Sequence, residues 1–384
     1  MKPLLVFNFA AHYRVPLFEI LQRELGMEII FFSRGDEEYW QRHLGVSEGR
    51  YRSETIVGRE ILPKIRVNPG LAKALLTREY DVLIKCINGR LEVPLAYAAA
   101  KLRRKPFILW TEIWSHPTTG FHRVTRPLVR YIYRHADAII ASGENIARHV
   151  IAQGAEADKV FVAELAIDND FFYEDPPTAE AEGFRSAAGA ADRPLVLAVA
   201  RLSPEKGVDV LIEAAAQLRD LRPVVVVVGT GKLEAGMRRL AEKLDVDLYL
   251  AGGLKPEQMP AVYRAADVLA MPSVTTPLIK EVWGLAANEA MCSGVPVVAS
   301  DAVGAAAGGL VWDGVTGLVV PERDATALAA ALRRILTSPS LASELVENAR
   351  GRVAGTTFAA MAESFRAALA YAVSGSSTER AGRS

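Results

Sequence analysis

Two glutamates, Glu281 and Glu289, are separated by seven residues with Gly284 between them, inside the segment PSVTTPLIKEVWGLAANEAMCSGVPVVASDAVGAAAGGLVWDGVTGLVVP (272–321). The run VLAMP (268–272) reads as a short buried strand, and LAANEAMCSG from Leu285 as a helix closed by Gly294. Glu281 then falls in the loop and Glu289 in the first turns of the helix. The first N–H groups of a helix lack intrahelical partners and carry the positive end of the dipole, so Gly284, Leu285 and Ala286 offer a seat for a phosphate. A carboxylate accepts two hydroxyl hydrogen bonds at once, which suits the vicinal diols of a ribose or hexose. Two glutamates beside an anion seat thus point to a sugar phosphate. Taken alone, the pair also fits a solvated loop charge and a first-turn charge that favours the helix dipole.

A second segment, VLAVARLSPEKGVDVLIEAAAQL (196–218), reads as strand, turn and helix, with Arg201 and Lys206 bracketing the turn. Arginine offers a planar fork and lysine a mobile ammonium, and together they can neutralise a diphosphate and steady it as a leaving group. Both lie at the carboxyl end of a parallel strand, where open α/β sheets bind ligands. Each by itself is also an ordinary surface cation.

With these segments in hand the chain resembles glycosyltransferase family 4, the retaining GT-B enzymes. The resemblance rests on ARLSPEKG, VVVVVGTG, LYLAGGLKPEQMPAVYRAADVLAMPS, EVWGLAANEAMCSGVPVVASDAVG and DGVTGLVVP, in the family's order and spacing across almost the whole C-terminal half. The N-terminal half is similar more loosely, through VFNFAAHYRVPLFEIL, ADAIIASGENIARHVIAQGA and KVFVAELAIDNDFF. The resemblance implies an α/β GT-B fold: two Rossmann-like domains facing a central cleft, with a C-terminal helix crossing back to the N-terminal domain. It implies a donor site at Arg201, Lys206, Gly229, Gly231, Leu254, Glu281, Gly284, Leu285 and Glu289. Arg201 and Lys206 would hold the diphosphate, Glu289 the ribose and Glu281 the transferred sugar. The donor implied is a nucleotide-diphosphate sugar, UDP or GDP by base, and the transfer needs no cofactor and no metal. Front-face substitution is implied, with the leaving phosphate helping to deprotonate the acceptor, so no enzyme nucleophile is required.

In this family a histidine ends one first-domain strand and faces the donor sugar. Here PFILWTEIWSHPTTGFH carries Thr111 at that position, followed by Glu112, with His116 four residues beyond. The first-domain catalytic contact is therefore Glu112 or His116. The family's N-terminal glycine pair is also replaced, by NFAAHYRVP, with Asn8, His12 and Arg14 at a strand-to-helix turn. His12 and Arg14 can bind an anionic acceptor group, or cap local structure. Two further patterns have bland readings. GTGKLEAGMRRLAEK (229–243) lacks the third glycine and the acid of a dinucleotide fingerprint, so Gly229 and Gly231 are read as allowing close backbone approach. Asp245 and Asp247 lack the further oxygens that a hard cation needs.

Composition fits a soluble two-domain enzyme. A chain of 384 residues exceeds one ordinary core, and 50% apolar residues allow two. Lysine plus arginine equal aspartate plus glutamate at 45 each, which argues against nucleic acid as a partner. Cys86 and Cys292 offer neither a disulfide framework nor a metal-ligand spacing, and a reducing cytoplasm is the expected compartment. The opening MKPLLVFNFAA is short and broken by Asn8, so it reads as the first buried strand rather than a signal peptide. No apolar run approaches the roughly 20 residues needed to span a bilayer. Membrane contact would be peripheral, at the inner face. Between Lys101 and Arg134 eight cations face one acid, Glu112, and Arg123, Arg126, Arg130 and Arg134 share a helical face near Phe121, Leu128 and Tyr131. This surface suits anionic lipid or plain solvation. Residues 1–170 hold 24 basic and 20 acidic residues, a net of +4.

Apolar strands alternating with amphipathic helices predict parallel sheets with helical crossovers. The predicted organisation is an acceptor-binding domain over 1–173, a linker at 174–192, a donor domain over 193–355, a crossover helix at 356–373 and a disordered tail at 374–384. The expected activity is retaining transfer of a hexose-like sugar to a hydroxyl of a glycan or lipid-linked acceptor, in cell-surface polysaccharide or glycolipid synthesis. A GT-B nucleotide-sugar epimerase and a catalytically decayed nucleotide-sugar-binding scaffold are the rival readings.

Overall fold

The computed structural model describes residues 1–35, 46, 49–62 and 65–381. The chain divides into two compact units: Met1–His116, Gly120–Leu165 and Phe358–Ser384 form one, Pro117–Thr119 and Ala166–Thr357 the other.

The first unit is built on a parallel sheet whose strands lie side by side in the order Ser53–Thr55, Glu28–Phe31, Pro3–Phe7, Val82–Cys86, Phe107–Thr111, Ala138–Ala141 and Val160–Val162. The strands Pro3–Phe7, Val82–Cys86, Phe107–Thr111 and Ala138–Ala141 are fully buried and apolar apart from Lys85 and Thr111, as expected where helices cover both faces. One face packs Leu4, Val6, Leu83 and Leu109 against the helices Pro69–Thr77 and Glu92–Leu102. On the other face Trp110 meets Phe7 at 5.0 Å and Phe365 at 5.1 Å. Phe365 lies on the C-terminal helix Phe358–Ala381, so that helix closes the first unit's core.

The second unit repeats the plan, in the order Leu248–Gly252, Val224–Val228, Leu195–Val199, Val268–Met271, Val297–Ser300 and Leu318–Val320. Strand order reverses between Leu195–Val199 and Val268–Met271, and between Pro3–Phe7 and Val82–Cys86 in the first unit. At such switch points the loops beyond the two strands part in opposite directions and open a crevice.

Two boundaries differ from the sequence reading. The second unit begins at Ala166, and the expected linker at 174–192 contains the helix Thr178–Ala187, where Arg185 donates to the carbonyl of Ala265 at 2.5 Å and to Asp267 at 3.1 Å. Its small, polar composition disguised a helix that buries only Ala181 fully. The expected tail is likewise helical as far as Ala381, because extending a formed helix costs far less than nucleating one; residues 382–384 lie outside the described residues. The sequence reading also missed the exposed edge strand Ser53–Thr55 and the antiparallel pair Arg59–Leu62 and Ile65–Val67.

Candidate functional site

In the second unit a small pocket of ≈ 80 Å³ opens at the switch point, lined by Val199, Ala200, Lys206, Met271, Ser273, Glu281 and Gly284–Ala286 among others. The strand Leu195–Val199 delivers the Arg201 loop, whose single turn Pro204–Lys206 ends at Gly207. Gly207 has φ +61°, and a Cβ there would lie 2.0 Å from the Pro272 carbonyl oxygen. The Val274 amide donates to the Glu205 carbonyl at 2.9 Å, fixing this turn to the end of the neighbouring strand. Lys206 is thereby aimed at the loop after Val268–Met271.

Glu281 meets it there. Its carboxylate is buried, forms an ion pair with the Lys206 ammonium through one oxygen and accepts from the Ser273 hydroxyl through the other. Burial alone would raise the carboxyl pKa, but the charge and hydrogen bond of Lys206, the Ser273 hydroxyl and the nearby Arg201 charge outweigh it and hold Glu281 below the usual range. Glu281 is an anion at neutral pH. Arg201 pairs with Glu205 at 2.6 Å, and Ser203 donates to the same carboxylate oxygen at 2.7 Å.

Gly284, with φ +92°, lets the chain turn from Glu281 into the helix Ala286–Cys292; a Cβ would lie 2.4 Å from the Met271 side chain. Beneath it Trp283 is buried and donates its indole N–H to Asn288 at 2.9 Å. Leu285 is the residue before the helix. Glu289 lies in its first turn, as read from sequence, but accepts from the Tyr263 hydroxyl at 2.6 Å and is not among the residues lining the pocket. Burial raises its pKa despite the Tyr263 hydrogen bond.

Gly229 and Gly231 follow the five-valine strand, and Cβ atoms there would lie 2.1 Å from the Ala200 carbonyl oxygen and 2.3 Å from that of Leu202. Their close approach is to the loop that carries Arg201. Leu254 is half-buried in the turn after Leu248–Gly252. The Asp-Val-Asp triplet also has a local explanation: Asp245 ends the helix Glu234–Leu244 with φ +57°, and Asp247 pairs with Arg193. Among the described residues, no group of three or more His, Cys, Asp or Glu side chains is arranged to hold a metal ion.

In the first unit, Asn8, His12 and Arg14 occupy the turn between Pro3–Phe7 and the helix Val15–Leu25, and Asn8 and Arg14 are buried. Arg14 forms an ion pair with Glu112, its guanidinium 5.1 Å from the Trp110 ring centre and 5.5 Å from that of Tyr13. Burial would lower the Arg14 pKa, yet the Glu112 charge raises it overall. Arg14 and Glu112, read separately from the sequence, are one unit, and the cation is already matched by an anion. Thr111 is fully buried at the strand end. His116 is not in this group: its ring lies 4.9 Å from His149 and 6.0 Å from Tyr133. Burial, then the charges of His149, Arg126, His122 and Arg130, lower its pKa to about 4, so it is neutral at pH 7.

The sequence reading missed Ser273, Glu205 and Tyr263, the partners of Glu281, Arg201 and Glu289. For Ser273 there was a signal, a hydroxyl residue at a strand end directly after proline. The Tyr263–Glu289 contact spans 26 residues and had none.

The family model described as glycosyl transferases group 1 matches residues 181–352, and that described as glycosyltransferase family 4 matches residues 21–171. The chain is 33% identical over 245 residues to an alpha-D-kanosaminyltransferase of Streptomyces kanamyceticus, covering 61% of each chain. It is 37% identical over 185 residues to a GDP-mannose-dependent alpha-(1-6)-phosphatidylinositol monomannoside mannosyltransferase of Mycolicibacterium smegmatis, covering 47% of each. The matches thus span between about half and three fifths of these curated relatives' length. Among solved structures, HepE of Anabaena in complex with UDP-glucose superimposes with a TM-score of 0.75 at 20% identity, covering 96% of this chain and 99% of that one.

Proposed function

From the premise that this chain belongs to glycosyltransferase family 4, the glycosyl transferases group 1, with the GT-B fold of two Rossmann-like units, we propose that it is a retaining glycosyltransferase. It takes a hexose-like sugar from a nucleotide-diphosphate sugar and passes it to a hydroxyl of a glycan or lipid-linked acceptor, in cell-surface polysaccharide or glycolipid assembly. The observation that carries this reading is the buried Lys206–Glu281–Ser273 group at the switch-point pocket, one cation and one hydroxyl-accepting anion held side by side. Uridine and guanosine are the bases favoured, after the UDP-glucose held by HepE and the GDP-mannose named for the mycobacterial relative.

In this reading the donor diphosphate takes over Lys206 and Arg201 from their carboxylate partners, and Glu281 is released to accept hydroxyls of the transferred sugar. Glu289 receives the ribose by exchanging its bond with Tyr263. As the bond from the anomeric carbon to the phosphate oxygen breaks, the cations stabilise the charge that collects on the diphosphate. The acceptor oxygen bonds to the same face of that carbon and its proton passes to the departing phosphate. No protein nucleophile and no metal ion take part, and the two glutamates do not act as a hydrolase pair. Glu112, held by Arg14, is the first-unit group that receives an acceptor hydroxyl; neutral His116 is not. The enzyme acts in the cytoplasm at the inner face of the membrane. This placement is supported by the arginines of helix Gly120–His135 and by Val124, 81% exposed among them. Among the described residues, no helix is long and apolar enough to cross a membrane.

Incubation with UDP-, GDP- and ADP-sugars, with and without crude lipid acceptor, tests the proposal. Acceptor-dependent nucleotide release is expected. Sugar interconversion without acceptor would instead mark an epimerase, and neither reaction a binding scaffold.

A further inference from the structure

The helix Gly120–His135 carries Arg123, Arg126, Arg130 and Arg134 and no acidic residue. Where it meets His116 and the helix Glu144–Ala152, several polar atoms are buried without a hydrogen-bond partner: Nε2 of His116, Nε2 of His149 and Nε of Arg130. Buried polar atoms in native proteins are nearly always hydrogen-bonded, so a cluster of unused nitrogens marks a place where something else binds. The two imidazoles are 4.9 Å apart. Neither Arg126 nor Arg130 forms an ion pair among the described residues, in contrast to Arg14, whose charge is matched by Glu112.

The sign of the missing ligand follows from the charges. After burial itself, the influences that keep His116 neutral are His149, Arg126, His122 and Arg130, and Arg126 does the same to His149. A metal cation would add to this repulsion. An anion would relieve it, pair with the guanidinium groups and let the histidines donate. We propose that His116, Arg126, Arg130 and His149 form a binding site for a phosphate group in the first unit. Anion recognition is thereby moved from His12 and Arg14, where the sequence suggested it, to this cluster. The phosphate belongs either to a soluble phosphate ester or to a phospholipid headgroup. Val124, Leu128 and Tyr131 stand exposed on the same helix and would sit against acyl chains in the second case.

The test uses the full chain and the variants Arg126→Gln/Arg130→Gln and His149→Gln, each checked for native circular dichroism. Inorganic phosphate and glycerol phosphate are titrated calorimetrically, and vesicles of phosphatidylglycerol or of phosphatidylcholine alone are co-sedimented. Saturable binding of a soluble phosphate, or of phosphatidylglycerol vesicles alone, is expected, weakened at least tenfold in the arginine pair and severalfold in His149→Gln. The first result identifies a soluble ligand and the second a headgroup. Bound phosphate should also raise the titration midpoints of the His116 and His149 proton resonances, which a merely structural cluster would not show. Absence of binding to every probe, or binding that the variants leave unchanged, overturns the site. Nucleotide release measured in parallel bears on the transfer reaction alone, so the two readings can fail separately.

Discussion

Lys206 and Glu281, 75 residues apart in sequence, form a largely buried ion pair whose second carboxylate oxygen is held by Ser273. Breaking such a pair from one side leaves an uncompensated buried charge, whereas removing both charges does not. Lys206→Ala should therefore lower stability by about 2 kcal/mol, and adding Glu281→Gln should recover part of that loss. Urea melts of the two single variants and the double variant measure the coupling. Transfer should fall by about 10²–10³-fold in Glu281→Gln with the fold retained, since the sugar loses an ionised acceptor. Near-normal turnover would remove Glu281 from the site.

Gly207 offers a test that leaves every charged group in place. A methyl group would collide with the Pro272 carbonyl at a residue already at φ +61°, so Gly207→Ala must move the turn that carries Lys206. Strain of this kind costs about 1–3 kcal/mol. Nucleotide-sugar affinity by calorimetry should drop together with the urea midpoint; unchanged affinity would mean that Lys206 does not contact the donor.

Arg14→Ala should destabilise the first unit by about 3 kcal/mol, because it leaves Glu112 without its partner and empties a space beside Trp110 and Tyr13. Glu112→Gln should keep the fold and raise the acceptor KM more than the donor KM. An equal effect on both would assign Glu112 a purely structural part.

Acid should weaken the protein through His116. Its folded pKa, about 4, lies below the ordinary 6.5, so the folded state favours the neutral ring. The resulting stability is fully present above pH 6.5 and is lost as pH falls toward 4. Glu281, also depressed, contributes stability above its ordinary value of 4.5 and loses it at lower pH. Melting curves of His116→Gln should show a shallower decline between pH 6.5 and 4 than the parent protein; parallel curves would refute the assignment.

Much of this was legible in the chain because its signals are local. The five-valine strand 224–228, Gly294 at the end of its helix with φ +72° and the place of Glu289 in that helix's first turn follow from runs and spacings within a dozen residues. The same local logic does not announce the helices within 174–192 and 374–381, where the residues are small and polar. It named Arg201, Lys206, Glu281 and Glu289 together but gave each a free charge. In the fold all four side chains have protein partners, and three of these, Glu205, Ser273 and Tyr263, were unmarked.

By itself the sequence determined the two parallel α/β units and the loops and helix turns that carry Arg201, Lys206, Glu281 and Glu289, since strand and helix periodicity and glycine punctuation are written in neighbouring residues. Which charges meet was decided only by the tertiary structure. Parallel strands bring together loops separated by dozens of residues, and so Lys206 faces Glu281, Arg14 faces Glu112, and His116 packs beside His149.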